Sequence, residues 1–473
     1  MSRQSPGQRC ADLFGQLTLI MAIFSCTFFY YRDFGSRMIY GYLALGVFFA
    51  LCLFDRLRRD DPPLCTPITL TSALLALVIV LHFLRPDARR DEDTIAYLIS
   101  MLICIAYVLC APARERSVLL AGKAMYWGSM AMAAFVVVFT FLPELFLRMV
   151  YSHLSIIAQN YYDFFSPLGY GVSLGTYSYT DYVIFLGMAV CCADLAVNPR
   201  TSRRIAVNAV SLVFLLLAMV VLGRRGELLA ALVAMGLLML ALCSRRRRRM
   251  ILIAVPLLGI AAVALLLAFL PQLKNIAVLS RYVETVEQIL SGADFTSGRG
   301  TLLQMGWAGF LSKPIFGMGW GQYLQLSAQI GMCDTDGNLI EDCHNIYLQF
   351  LCETGIVGAV LLLIPIGYLF VTTCRLLKAA KAMEDKTTLR FVSFSFLLQF
   401  FLLFLGLYDP SFQKLVFWCF YALALMFANA AMIRSGWRPT GFVSRGLDRL
   451  ACLLAPVTRR IWQTLRTPWK EGN

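Results

Sequence analysis

The chain has 473 residues, of which 59% are hydrophobic and only 15% charged, and it carries a formal net charge of +14. Water would face far more apolar surface than a soluble fold can hide, so the composition excludes a water-soluble globular protein and makes the bilayer the solvent. The basic residues fall in short clusters between apolar runs and not along one soluble face, which argues for membrane topology and against nucleic acid as a partner.

Runs able to cross about 30 Å of hydrocarbon begin near Leu13, Met38, Ile68, Ile95, Val118, Tyr182, Ile205, Leu228, Met250, Gly355, Phe391 and Leu415. They predict an all-α, polytopic integral membrane protein with about 12 transmembrane helices. The first run, Leu13 to Tyr31, lacks a small-residue cleavage pattern and is followed by many similar runs, so it reads as a retained span and not as a signal peptide. With both termini inside, Lys and Arg favour the inner side roughly two to one. The five consecutive arginines Arg245 to Arg249, after the eighth run, are the strongest inner anchor.

This orientation places two long segments outside: Pro143 to Asp181, and a large extracytoplasmic loop of about 271–354. Residues 1–434 form the transmembrane domain, and 435–473 a basic cytoplasmic tail. That tail mixes Trp437, Trp462 and Trp469 with arginine and lysine, as a helix lying on the membrane surface does. No internal repeat and no matching pair of interrupted spans is visible, which weighs against a transporter built from two halves.

Three places outside carry candidate chemistry. Gly223-Arg224-Arg225-Gly226-Glu227 is a very short outer turn with two arginines, against the positive-inside trend. It admits two readings: arginines snorkelling with Glu227 as counter-ion, or an anion site in which guanidinium binds phosphate. Ser297-Gly298-Arg299-Gly300 precedes Trp307 and the glycine-rich run Lys313 to Gly321, which lacks the strand-turn-helix setting of a nucleotide fingerprint. His344 stands just before the tenth run, at the water-membrane boundary among polar neighbours. The other histidines, His82 in an apolar run and His153 in an aromatic-rich loop, are better explained by packing or interfacial hydrogen bonding.

The residues predict neither a metal nor a cofactor, since no His-x-x-x-His pair, Walker loop, Gly-x-Ser-x-Gly elbow or zinc-type cysteine cluster occurs. Asp334-Thr335-Asp336, followed by Gly337, reads as a turn more simply than as a metal holder. Most cysteines lie within apolar runs as small hydrophobes, but Cys333 and Cys343 flank that turn in an oxidising compartment, where a disulfide would close a short loop before His344. The outer aromatics Tyr151, Tyr161, Tyr162, Phe164, Phe165, Tyr170, Tyr177 and Tyr179 read as an interfacial belt or as a platform for sugar rings.

The sequence His344-Asn345-x-Tyr347-Leu348-Gln349 with Glu353-Thr354-Gly355 and Gly358, preceded by Ser297-Gly298-Arg299 and Pro314-x-Phe316-Gly317-x-Gly319, resembles the O-antigen ligase and polymerase superfamily. Arg225-Gly226 before a span resembles that family's arginine-glycine element, so the resemblance covers about 182–407. It implies a bacterial inner-membrane glycosyltransferase of the C-type helical fold, with its active site on the extracytoplasmic face. The implied donor is a polyprenyl-diphosphate-linked glycan; the acceptor is a growing glycan for a polymerase or lipid A-core for a ligase. Neither nucleotide sugar nor metal is implied. On this resemblance Arg225 and Arg299 hold the diphosphate, Arg224 supports them or faces lipid headgroups, and His344 accepts the acceptor's proton. Two rival readings are a lipid-linked oligosaccharide flippase, with the same arginines in a cavity, and an O-linked protein glycosyltransferase.

Overall fold

The computed structural model describes residues 66–110, 115–154, 156–173, 177–197, 201–246, 248–250, 277–292, 299–331, 342–409, 412 and 415–470, with a few single positions besides. Their helices in chain order are α1 (Pro67–Phe83), α2 (Glu92–Cys110), α3 (Glu115–Phe141), α4 (Pro143–Met149), α5 (Ile156–Phe165), α6 (Tyr177–Ala196), α7 (Ser202–Leu222), α8 (Arg225–Leu242), α9 (Ala277–Ser291), α10 (Arg299–Ser312), α11 (Tyr323–Ile330), α12 (Ile346–Met383), α13 (Lys386–Leu405), α14 (Leu415–Ser435) and α15 (Phe442–Lys470). No strand occurs among the described residues.

Seven of these helices, α3, α6, α7, α8, α12, α13 and α14, are long and apolar enough to cross a bilayer. The protein is thus all-helical with multi-pass membrane character. The runs predicted from Leu13 and Met38, and nearly all of the one from Met250, lie outside the described residues, so a count of twelve stands as an expectation. The stretch 271–354, predicted as a loop, is in its described parts mostly helical, forming α9, α10, α11 and the first turns of α12.

The chain divides into two compact units, with the boundary inside α3. The first holds the described residues of 41–121 and 298–473. Its centre is α14, which packs on α13 and α2 and also touches α1 and α12. Buried polar groups lace these helices where water cannot serve them: Ser395 donates to the Ala424 carbonyl at 2.6 Å, and Gln399 Nε2 donates to Thr373 Oγ1 at 2.8 Å. Capping fixes the helix starts. Thr66 and Thr69 form a capping box before Pro67, and Asp385 accepts from the Thr387 and Thr388 amides to begin α13.

Sidedness within this unit follows from its contacts. At one end the α1–α2 connection meets residues 316–322, and the start of α12 meets the end of α13. At the other end Thr66 donates to Asn429 of α14 at 2.8 Å, and Arg434 meets Asp385 at 3.1 Å. Arg375, Lys378, Lys381 and Lys386 also belong to that second end, and α15 docks there through Tyr368–Ser444 at 3.1 Å and Arg375 to the Thr440 carbonyl at 3.0 Å.

α15 has three faces at helical spacing. Ser444, Leu447 and Trp462 are buried; Val443, Leu450, Leu453, Val457 and Ile461 are exposed apolar residues; and Arg445, Arg449, Arg459 and Arg460 form a basic stripe.

The second unit holds the described residues of 122–297. Here α6 is largely buried and packs on α7, α8 and α3; Ser129 donates to the Val183 carbonyl at 2.6 Å, and Tyr126 meets Ser211 at 2.7 Å. In both units the outward faces are apolar. Val207, Val210, Val213 and Leu217 line α7, and Ile356, Val360, Leu361 and Ile364 line α12. Stripes of that kind would drive association in water but are ordinary where lipid is the neighbour.

Candidate active site

The motif glycines build a backbone clasp at the start of α12. Residues 314–321 run against 352–357: Met318 N donates to the Cys352 carbonyl at 3.0 Å, and Gly319 N to the Glu353 carbonyl at 2.8 Å. In return Ile356 N donates to the Pro314 carbonyl at 2.9 Å and Val357 N to the Ile315 carbonyl at 3.2 Å. Those amides are available because α12 breaks at Gly355, whose φ of 65° and ψ of −173° only glycine adopts readily. A side chain at Gly355 would overlap the Ile315 carbonyl and the Gly317 amide.

Glu353 locks the clasp from inside. Its carboxylate is buried and accepts from Tyr323 N at 3.3 Å and from Gln349 Nε2 at 3.2 Å. The α1–α2 connection braces the other side: Arg89 N donates to the Trp320 carbonyl at 2.8 Å, Gln322 Nε2 to the Asp87 carbonyl at 2.8 Å, and Arg85 to the Phe316 carbonyl. His82 stacks on Trp320 and lies against Gly358, which confirms it as a packing histidine. His153 is exposed on a short 3-10 turn.

His344 stands two residues before α12 in the left-handed region, at φ 54°. Its surroundings fix it there. Asn345 caps α12 by accepting from Leu348 N at 3.0 Å, and its own amide donates to the Leu407 carbonyl at 3.0 Å. Ile346 N donates to the Gly406 carbonyl at 2.8 Å, and Tyr347 to the Leu403 carbonyl at 2.6 Å. On the preceding side, Asp342 Oδ1 accepts from His344 N at 2.9 Å and lies 2.7 Å from the ring nitrogen Nδ1. The imidazole keeps about a third of its surface exposed (32%), so it is both held and reachable. Asp342 is a site residue that the motif reading passed over; its only sequence signal is its place two residues before a histidine.

Arg299 opens α10, which packs along the start of α12. Gly306 lies where a side chain would meet Leu348 at 3.2 Å and Cys343 at 3.3 Å, and Tyr323 ties α11 to α10 by donating to the Leu302 carbonyl at 2.8 Å. α10 therefore carries Arg299 about 10 Å along its axis from the point that faces Cys343, the neighbour of His344.

Cys343 is a buried thiol donating to the Asn345 carbonyl at 3.1 Å; Cys333, the partner expected for it in a disulfide, lies outside the described residues, as does Asp334-Thr335-Asp336. Burial pushes the Cys343 thiol well up from its ordinary value, so it is a packed hydrophobe and no nucleophile.

In the second unit the two neighbouring arginines part company. Gly223 ends α7 in the left-handed conformation, Arg224 is the N-cap of α8, and Arg225 is that helix's first residue. Arg224 points inward between two buried acids. It pairs with Glu227, its Nε lying 2.9 Å from Oε1, and with Asp181 of α6 at 3.5 Å. The Glu227 counter-ion reading is thus right for Arg224, although as a buried ion-pair network and not as snorkelling. Arg225 has no ion pair or hydrogen bond among the described residues and is partly exposed.

The outer aromatics of this unit pack on one another. Phe146, Tyr151 and Tyr162 form one cluster, Tyr161, Phe165 and Tyr170 another. Tyr151 donates to Asp163 at 2.7 Å, and that bond, with burial and the neighbouring charge, pushes its phenol up to about 12. These rings form a small core, and Phe164 stands out exposed.

Comparison with curated proteins finds no match. Comparison with protein families finds one over residues 210–363, a stretch that holds Arg224, Arg225, Arg299, the clasp and His344, although it is narrower than the 182–407 read from the motifs. The family is described as O-Antigen ligase, and the resemblance to the O-antigen ligase and polymerase superfamily is thereby shown for that third of the chain.

Proposed function

We propose that this protein is a membrane glycosyltransferase that moves a polyprenyl-diphosphate-linked glycan onto the hydroxyl of an acceptor sugar, in cell-surface polysaccharide biosynthesis. One observation carries the reading: the O-antigen ligase segment holds, in family order, an arginine with no ion pair or hydrogen bond among the described residues (Arg225) and a histidine held beside a carboxylate (His344). The acceptor is a growing glycan or lipid A-core, and the reaction uses neither metal nor nucleotide sugar.

In this mechanism the acceptor hydroxyl gives its proton to Nε2 of His344 as its oxygen bonds to the anomeric carbon. The bond from that carbon to the diphosphate oxygen breaks, and polyprenyl diphosphate leaves. Attack opposite the leaving group inverts the anomeric centre. A diphosphate leaves readily once its charge is met, so the protein's contributions are electrostatic stabilisation by Arg225 and Arg299 and general-base help worth about 10² to 10⁴ in rate. Arg224 supports Arg225 from behind through its own ion pairs. This sequestration favours Arg225 for the diphosphate, a choice the motif left to an adjoining glycine.

The basic end of the first unit supports an orientation with Arg375, Lys381, Arg434 and α15 in the cytoplasm and His344 on the extracytoplasmic face of a bacterial inner membrane. The test uses lipid-linked glycan extracted from the producing cell, mixed with purified protein with and without lipid A-core. The expected result is longer lipid-linked chains or glycan on lipid A-core, lost in His344→Ala and in Arg225→Ala while both variants melt as wild type does. A folded His344→Ala protein with normal transfer would sink the reading.

A further inference from the structure

We propose that Asp342 is the positioning residue of the site: it sets which nitrogen of His344 carries the proton and holds the ring for transfer. The inference rests on the reading of His344 as the base. Nothing in the O-antigen ligase motif, which begins at the histidine, contains it.

One carboxylate oxygen does two jobs here. Asp342 Oδ1 accepts the backbone amide of His344 at 2.9 Å and stands 2.7 Å from Nδ1 of the same residue. The first contact is the short-range bond by which aspartate stabilises a left-handed residue two places on, and it accounts for the positive φ of a residue that is not glycine. The second sets the chemistry. The Nδ1 contact is a close approach and not an aligned hydrogen bond, and it acts through charge: an anionic oxygen 2.7 Å away repels a lone pair on Nδ1 and favours the hydrogen there, which leaves the lone pair on Nε2. Nε2 is then the atom that takes the hydroxyl proton, and the imidazolium so formed faces an anion. Nδ1 is itself buried and makes no hydrogen bond among the described residues, and Asp342 is shielded, with 16% of its side chain exposed, so bulk water is a weak competitor for the approach.

The frame around the pair is stiff on both sides. Cys343, between the two residues, is buried against α10 at Gly306, and Asn345 is committed to capping α12 and to Leu407. The charge of Asp342 reaches other titratable groups of the packed elements, Tyr323 of α11, Glu353 of α12 and the Cys343 thiol, all buried. None of them is in hydrogen-bonding contact with the imidazole.

Only three histidines exist in the chain, which makes the test direct. Full-length protein labelled with nitrogen-15 histidine, in micelles, gives three ring systems, and a His344→Gln sample identifies that of His344. The expected result is a neutral His344 protonated on Nδ1 in wild type, with protonation on Nε2 gained in Asp342→Asn, whose neutral side chain leaves no anion beside Nδ1. In the transfer assay above, Asp342→Asn lowers kcat about 10²-fold with KM little changed. Asp342→Glu regains part of kcat.

A wild-type His344 protonated on Nε2 overturns the inference, whether or not any variant folds. So does an Asp342→Asn protein with unchanged tautomer and kcat while His344→Ala is inactive. If His344→Ala transfers normally, the base assignment itself has failed, a different outcome from the other two.

Discussion

Two glycines of the same helix should respond in opposite senses to an added methyl group. In α12, Gly355 has φ 65° and ψ −173°, and its missing side chain is replaced by the Ile315 carbonyl and the Gly317 amide. Gly355→Ala must hold alanine in a region costing about 1–3 kcal/mol. It must also push away two backbone groups that cannot rotate aside, which breaks the Ile356–Pro314 and Val357–Ile315 hydrogen bonds at about 1 kcal/mol each. The sum is about 3–5 kcal/mol. For a unit of this size that lowers the melting temperature by on the order of 10 °C. Gly367, about three turns on, has ordinary helical geometry and nothing within 4 Å of the place its side chain would take. Gly367→Ala should therefore be neutral or stabilising, by up to about 1 kcal/mol. Melting of the two variants and wild type in one detergent, followed by tryptophan fluorescence, checks both signs. If Gly355→Ala melted within a degree or two of wild type, the clasp would not be the constraint described here.

Arg224→Ala removes the charge shared by Asp181 and Glu227, whose side chains are 0% and 4% exposed, and should cost about 3–5 kcal/mol in a melting experiment. Arg225→Ala should leave the melting temperature within about 0.5 kcal/mol of wild type in free-energy terms and lose transfer. Asp385, against a partial burial that pushes its carboxyl up, is held below its ordinary value by hydrogen bonds from Thr388 and by Arg434. Because the folded value is the lower one, this contribution is present above the unfolded value and fades as pH falls through the folded one. Asp385→Ala should thus melt lower by about 1 kcal/mol near pH 7, with the gap closing in acid as melting curves from pH 7 to pH 3 would show. Changing Arg445, Arg449, Arg459 and Arg460 to Glu should abolish any stabilisation by anionic over zwitterionic nanodiscs, at about 1 kcal/mol per arginine; equal melting in both lipids for wild type would refute a membrane-surface role for α15.

Hydropathy alone located the helices well, because in lipid a long apolar run needs no partner to become helical. The runs predicted from Ile68, Val118, Ile205, Leu228 and Leu415 match helices beginning at Pro67, Glu115, Ser202, Arg225 and Leu415. Helix starts came out a few residues early where polar caps precede the apolar stretch, as at α13, whose start is set by Asp385. The motif residues were legible in the chain, but their local partners were not. Arg224 and Arg225 look alike in the chain, and what separates them is Asp181, more than forty residues upstream and brought beside one of them only by α6 packing on α8. Asp342 was hidden for a second reason. Its meaning depends on a left-handed backbone at His344, which no propensity argument assigns to histidine in advance. The glycines of 317–321 lacked the setting of a nucleotide fingerprint in the sequence, and their amides and close approaches are used by α12 and by the α1–α2 connection.

The break in α12 also works as a ruler. The helix has 38 residues and would measure about 57 Å end to end, nearly twice the hydrocarbon thickness of about 30 Å. From Gly355 to Arg375, the first basic residue of its far end, the rise is about 30 Å, and the outward apolar stripe begins just after Gly355. The segment Ile346–Thr354 is therefore left over, a stub of about 13 Å standing in the headgroup layer with His344 at its tip. The lipid-borne donor of the proposed function would carry its diphosphate at that same depth while its chain stays in oil. The sugar to be moved then arrives level with the imidazole by lateral diffusion alone, and a bilayer a few ångströms thicker or thinner would misalign the two without touching a single residue of the site.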